Sequence, residues 1–387
     1  MSLSKGQPLR AASPPRSPTT ALQLWWHHTR NRILINPRFQ QWAARLPLFK
    51  GIAQREALAL HHITAGFVYS QVLQACIRLD LFTRLHTQPS TVEQLSAVCD
   101  LSQEAMLRLL RAGASLRLLE RIGSDYWGVG PLGAATLAYP GIPAMVHHHA
   151  LLYRDLSDPI ALLRHQQPSE LSRYWPYENS TIDADTSHAY SHLMAQSMTL
   201  ISGHILDAIN LSSAQHILDL GGGTGAFARA VQVRYPDVKV TVADLPHVAA
   251  LARAEHGNTE PKLTFWGGDM LEEALPTGAD TLTLIRILHD HNTDRVQQIL
   301  RKARAYLAEG GELIIAEPLA ETPGAEPIGD AYFGFYLWAM GSGAPRSKGE
   351  LTTLLLQAGF TQVTEHKSNV PALVRILRAT TKDAKNI

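Results

Sequence analysis

The spacing of apolar and polar positions changes character three times along the 387-residue chain. Residues 1–20, "MSLSKGQPLRAASPPRSPTT", are polar and proline-rich and lack the apolar stretch of a signal peptide, so they read as a disordered tail. Residues 21–52 are rich in Trp and Arg and read as an amphipathic extension, which Asn36-Pro37 divides into two short pieces. A helical stretch from about Glu56 to Leu85 follows. Thr91, with Gln94 three residues on, predicts a capping box at the start of a short helix. A second helix is predicted after Ser102, with Met106, Leu107, Leu109, Leu110 and Leu116 at mostly helical spacing. Residues 123–125, Gly-Ser-Asp, form a turn between two short strand-like pieces. Helix, turn, helix and hairpin together predict a mainly helical winged-helix domain over residues 53–145. A helical linker over residues 146–200 leads to the last region, residues 201–387. There, "HILDL", "KVTVADL", "LTFWGGD", "TLTLIRIL" and "GELIIAE" alternate with helical patterns. This predicts a Rossmann-like α/β domain, a mostly parallel sheet with helices on both faces.

Composition narrows the function classes. A hydrophobic content of 45% and a charged content of 18% describe a globular chain with real cores. Winged helices often bind DNA, but the second helix is largely apolar, with Arg108, Arg111 and Arg117 scattered rather than gathered. A groove-reading helix needs a polar, basic face, and the net charge of +1 offers no electrostatic footprint. Packing or dimerisation is therefore expected, without nucleic acid. Cys76 and Cys99 make no disulfide framework, so a reducing cytoplasm is the expected compartment. No apolar run reaches the roughly 18 residues that span a bilayer.

The chemistry starts at "HILDLGGGTGAF", residues 216–227. Gly221-x-Gly223-x-x-Ala226 satisfies a dinucleotide fingerprint loosely, but Asp219 at the strand end would repel a pyrophosphate. S-adenosylmethionine (SAM) has no phosphate there and carries an ammonium suited to acidic surroundings. Gly221, Gly223 and Gly225 let the backbone approach a ligand and turn into a helix. Asp244 and Asp269 end the next two strands. The first suits ribose hydroxyls and the second an adenine amino group, with Met270 packing on the ring. Leu245 and Arg286, on the same rim, complete the candidate cofactor contacts. Three acids on successive strand ends around a glycine loop favour SAM.

His289 and Asp290 end the fourth strand on this rim. Methyl transfer from a sulfonium is an in-line displacement that needs alignment and removal of the acceptor's proton, and imidazole titrates in the useful range. His289 is the candidate base. His291 and the run His147–His149 raise a metal alternative, but magnesium wants oxygen ligands and consecutive helical histidines cannot share one zinc. No metal is expected. Met194 and Met198, with Phe333, Trp338 and Met340 from residues 330–343, are candidates for the wall around an apolar acceptor.

From roughly residue 55 to residue 378 the chain resembles the SAM-dependent O-methyltransferases of the plant caffeate and acetylserotonin type. The resemblance rests on "DLGGGTG", "ADLP", "GGDM", "LHD", "LAEGGELIIAEP" and "LLLQAGF" in that order. It implies that His289 is the catalytic base and that Asp219, Gly221, Asp244, Asp269 and Met270 contact SAM. It also implies a homodimer built through the winged helix, and Glu317 as the first of two glutamates flanking the base. The second falls at Pro345 in "GSGAPRS", and His291 stands where the family has a tryptophan. The stretch "NPRFQQWAARLPLFKGIAQREALALHHITAGFVYSQVL", together with "GSGAPRS", resembles one bacterial branch, the hydroxycarotenoid O-methyltransferases. That branch implies methylation of a tertiary hydroxyl at the end of a polyene. Separately, the Trp and Arg residues among positions 21–48 suit the headgroup boundary and predict peripheral membrane contact. The alternatives are an enzyme acting on a phenol or polyketide hydroxyl and a non-catalytic SAM-binding regulator.

Overall fold

A computed structural model describes residues 18–166, 168–174, 184–256 and 262–381. The expected disordered tail thus lies outside the described residues, except for its last three positions, which begin a helix. The chain forms two compact units, residues 1–75 and 76–387.

In the first unit, α1 (Pro18–Leu34) and α2 (Pro37–Arg45) are the two pieces that Asn36-Pro37 separates. Asn36 accepts the Arg38 N–H and Pro37 occupies the first helical turn, so the break is also a cap. Leu22, Trp25, Trp26 and Ile33 recur at helical spacing on one side of α1, exposed. A third helix, α3 (Pro47–Arg78), differs from expectation. It starts nine residues before Glu56 and runs unbroken for 32 residues, through the predicted boundary at residues 52–53. It stops short of Leu85 because Asp80 adopts a left-handed conformation (φ 53°), and α4 (Leu81–Thr87) starts afresh.

The second unit begins with the winged helix. A short β1 (Ser90–Thr91) leads into α5 (Val92–Cys99), where Thr91 and Gln94 form the predicted capping box. Ser102 caps α6 (Gln103–Ser115), and β2 (Leu119–Ile122) and β3 (Tyr126–Val129) make the hairpin. The three strands form a small antiparallel sheet in the order β1-β3-β2. Helices α7 (Pro131–Ala138), α8 (Gly141–Asp155), α9 (Pro159–Leu163), α10 (Glu170–Tyr174) and α11 (Ala184–Ala208) connect to the larger sheet.

That sheet has seven strands. In chain order, β4 (His216–Leu220), α12 (Ala226–Arg234), β5 (Lys239–Asp244), α13 (Pro246–His256) and β6 (Leu263–Gly267) make one half. The strands β7 (Thr281–Ile285) and β8 (Glu312–Glu317), joined by α14 (Thr293–Tyr306), make the other. Helices α15 (Gly334–Met340) and α16 (Lys348–Gln357) precede β9 (Gln362–His366) and β10 (Arg375–Thr380). The order β6-β5-β4-β7-β8-β10-β9 is parallel except for β10, which is antiparallel to both neighbours. β4 and β7 are buried at every position because helices cover both faces. The connections from β4 and β7 diverge to opposite sides of the sheet. The crevice outside their carboxyl ends is the topological switch point, where open sheets of this kind hold ligands.

Candidate active site

A cavity opens at this switch point. Among its lining residues are Gly221, Gly223, Asp244, Leu245, Asp269, Met270, Arg286, His289 and Asp290, so most of the predicted rim comes together. The loop after β4 owes its shape to glycine: Gly221, Gly223 and Gly225 have φ of 71°, 59° and 82°, a region costly for other residues. Gly225 sits behind the lining as the left-handed cap of α12.

The three acids play different parts. Asp219 was expected to meet the cofactor directly, yet it is 1% exposed and lies beneath the loop rather than on the cavity surface. It is the penultimate residue of β4, and its register partner Thr283 on β7 donates a 2.6 Å hydrogen bond to Oδ1. Oδ2 is buried without a partner, pressed against Gly222, where any Cβ would strike the carboxylate. Burial, with the nearby Asp244 charge, pushes the Asp219 carboxyl up to about 7. Asp244, the last residue of β5, accepts the Gly223 and Leu245 N–H groups at 2.8 Å each, which fixes both oxygens at the cavity wall. Asp269 lies two residues beyond β6; Oδ1 accepts the Leu271 N–H at 2.7 Å, and Oδ2 is 4.0 Å from Arg295.

These features fit a ligand with ribose hydroxyls and a cationic end. Each Asp244 oxygen retains a lone pair beyond its backbone bond. An ammonium near the loop would supply the opposite charge that Asp219 lacks. Arg286, in the left-handed region (φ 59°), donates to Ser197 Oγ on α11 at 2.9 Å, so it ties α11 to the rim.

His289 sits in a single 3-10 turn, Leu288–Asp290, after β7 and is 3% exposed. Its Nε2 is 3.2 Å from Asp290 Oδ1, and Nδ1 is buried without a partner. Glu317 was expected beside the imidazole. Its Oε1 accepts the N–H groups of Ile287 (3.0 Å), Leu288 and His289 (3.2 Å), and its carboxyl also interacts electrostatically with His289, so it supports both the turn's main chain and the base. His291 lines the cavity, and burial lowers its pKa to about 4, which makes it a neutral ring where the family resemblance has an indole.

The acceptor side is built by a π-helical turn, Pro327–Phe333, running into α15. Phe333 stacks on the His289 ring at 5.8 Å, and Met194, Met198, Tyr336, Leu337 and Met340 complete an apolar wall. Trp338 does not join it. Its indole stacks on His165 at 4.2 Å and donates to Leu162 O at 3.1 Å, pointing away from the cavity. Two histidine–tyrosine pairs behind the wall carried no predicted role. His148 shares a 2.9 Å hydrogen bond with the Tyr336 hydroxyl, and His149 a 2.7 Å bond with that of Tyr332. The histidine run on α8 thus holds tyrosines, and among the described residues no group of three or more His, Cys, Asp or Glu could hold a metal.

Comparisons with known proteins agree with this geometry. A family model described as an O-methyltransferase domain matches residues 153–361, and an O-methyltransferase dimerisation domain matches residues 60–138. The chain is 38% identical to demethylspheroidene O-methyltransferase of Rhodobacter capsulatus over 90% of its length and 88% of the relative's. It is 39% identical to the enzyme of that name from Cereibacter sphaeroides, over 86% of its length and 89% of the relative's. Mouse acetylserotonin O-methyltransferase is 29% identical over 80% of this chain and 85% of its own. In fold, the chain is similar to human N-acetylserotonin methyltransferase in complex with SAM. The TM-score is 0.72 at 24% identity, covering 84% of this chain and 98% of that one.

Proposed function

Because the chain belongs to the SAM-dependent O-methyltransferase family, we propose that it methylates the tertiary hydroxyl at the end of an acyclic hydroxycarotenoid, with His289 as general base. The observation that carries the chemistry is the state of the His289 ring. Asp290 Oδ1 stands 3.2 Å from Nε2, and among the described residues Nδ1 is buried with no hydrogen-bond partner, so a ring carrying its proton on Nε2 would hold a free lone pair at Nδ1. When bound, SAM supplies a methyl group activated by its sulfonium. Asp244, Asp269 and the 221–225 loop would hold the nucleoside, with Met270 against the ring. Asp219 would balance the ammonium from beneath the loop.

The protein's own part is to align the acceptor, exclude water and receive a proton. A tertiary alcohol is far less acidic than a phenol, so Nδ1 accepts the hydroxyl proton while the new C–O bond forms. The wall of Phe333, Met194, Met198 and Met340 offers a long apolar acceptor no competing polar site. The names of the two purple-bacterial relatives support a carotenoid acceptor.

The test is to incubate the enzyme and labelled SAM with a panel of hydroxycarotenoids and small phenols. Turnover confined to the carotenoids is the expected result; phenols methylated at equal or higher kcat/KM would transfer the enzyme to another acceptor class. His289→Ala should lower kcat by about 10²–10⁴-fold while leaving SAM affinity near wild type. Retention of most activity would make His289 structural.

The dimerisation domain supports homodimer formation. The N-terminal unit further suggests a membrane surface as the place of work. Positions 1–55 hold nine Lys and Arg and no Asp or Glu. Trp25 and Trp26 are 62% and 60% exposed, and Trp42 makes ring contacts with Phe39 and Phe49 at 5.8 and 6.5 Å. Exposed indoles among cations suit the headgroup boundary of anionic lipid, and no described helix is long and apolar enough to cross a membrane. Removing residues 1–46 should abolish sedimentation with phosphatidylglycerol vesicles and spare SAM binding. A truncated protein that turned monomeric, with full-length protein ignoring vesicles, would make the segment a dimer element instead.

A further inference from the structure

The turn that carries His289 is too short to hold itself. A single 3-10 turn leaves most of its N–H and C=O groups to outside partners. Its N–H side is taken by Glu317, which accepts from Ile287, Leu288 and His289. Its carbonyl side is met, one residue after another, by residues 342–346. Leu288 O accepts from Arg346 Nη1 at 2.8 Å, and His289 O from the Ala344 N–H at 2.9 Å. Asp290 O accepts from Ser342 Oγ at 2.8 Å, and His291 O from Arg346 Nη2 at 2.7 Å. Gly343 passes so close that a Cβ there would collide with His289 O.

Arg346 is the anchor of this strap. It is 5% exposed and grips the first and last of the four carbonyls with the two arms of one planar fork. Burial disfavours its charge, while Glu317 and Glu350 favour it. The two buried charges stand in the order the turn's dipole prefers, carboxylate at its amino end and guanidinium at its carbonyl end. Pro345, in the same segment, carries no side-chain group that could bond the imidazole. In the described residues the ring itself touches only Asp290 and stacks on Phe333.

We infer that Arg346 is a positioning residue for the catalytic base: it sets the aim of His289 through the main chain, in place of a second side chain on the imidazole. The inference rests on the reading of His289 as base. A base displaced by about an ångström loses about 10²-fold in rate. Arg346→Met should therefore lower kcat by about that factor, with SAM Kd nearly unchanged by calorimetry and an altered kcat–pH profile. Arg346→Lys, which keeps the charge and loses the fork, should recover part of the rate. Ser342→Ala removes one bond, to Asp290 O, and should lower kcat about threefold to tenfold.

His289→Ala is the control. If it is inactive while Arg346→Met and Ser342→Ala keep wild-type kcat and pH profile, the positioning role is overturned and the base reading stands. If His289→Ala is active, the base reading itself fails. Should Arg346→Met not fold, Arg346→Lys and Ser342→Ala decide. Loss of SAM affinity in step with kcat in those variants would assign the strap to general folding.

Discussion

Replacing Asp219 by Asn isolates the buried carboxyl beneath the cofactor loop. The carboxyl is raised from 3.8 to about 7, chiefly by burial. Below pH 4 it is protonated in both the folded and the unfolded chain, so it imposes no cost. Between pH 4 and 7 the unfolded chain releases the proton while the folded one keeps it, and stability falls as pH rises. Above about pH 7 the penalty levels off. About three pH units at roughly 1.36 kcal/mol each give ~4 kcal/mol. Asn has the shape of the protonated acid, and its Oδ1 can still accept the Thr283 hydroxyl. The variant should therefore match wild type only near pH 3, gain over it progressively above that, and unfold at higher temperature or urea concentration at pH 8, all without SAM. Function should move the other way. With no charge to balance an ammonium, SAM binding at pH 8 should weaken by roughly 1–3 kcal/mol in calorimetric titration. Unfolding midpoints that ran parallel for the two proteins from pH 4.5 to 8 would refute the buried-charge argument. Undiminished SAM affinity would remove Asp219 from cofactor binding.

Asp244→Ala and Asp269→Ala should each weaken SAM by roughly 1–3 kcal/mol, with NAD showing no measurable affinity in the same calorimeter; NAD binding tighter than SAM would end the methyltransferase reading. Trp338→Ala should lower the melting temperature by removing the stack on His165 and the bond to Leu162 O, yet leave the acceptor profile unchanged. A shift in acceptor preference at constant stability would return Trp338 to the pocket wall.

What the sequence made legible was local. The glycine loop and the acids at 244 and 269 follow from strand ends, where position along the chain fixes position in the crevice. Asp219 departs from that rule by one step: one residue before the end of β4, paired with Thr283 of β7, it is buried, and the loop's backbone takes its place at the cavity surface. Trp338 was readable and misjudged. From Phe333, helical spacing selects residues 336, 337 and 340, the residues that line the cavity, and leaves 338 on another side. The long helix α3 begins at Pro47, a residue suited to a first helical turn, well before the change in composition at residues 52–53 that suggests a boundary. The remaining features had no local signal. Arg346 reaches Leu288 across 58 positions, His149 reaches Tyr332 across 183, and Arg286 reaches Ser197 across 89. Pairings of that kind are decided by how layers stack, which no periodicity records.

The two histidine–tyrosine pairs bear on regiochemistry. Burial lowers His148 to about 4 and lowers His149 as well, so both rings stay neutral across the physiological range. Each engages a tyrosine hydroxyl, and one of the two tyrosines, Tyr336, lines the cavity. Among the described lining residues, most of the polar groups, Asp244, Asp269, Arg286, His289 and Asp290 included, sit at the strand-end rim. Any hydroxyl buried partway along its length would have to desolvate against methionine and phenylalanine, at a cost of about 1–3 kcal/mol. On the proposed reading, a chamber of this kind favours reaction at a terminal hydroxyl, which alone need not be buried against the apolar wall.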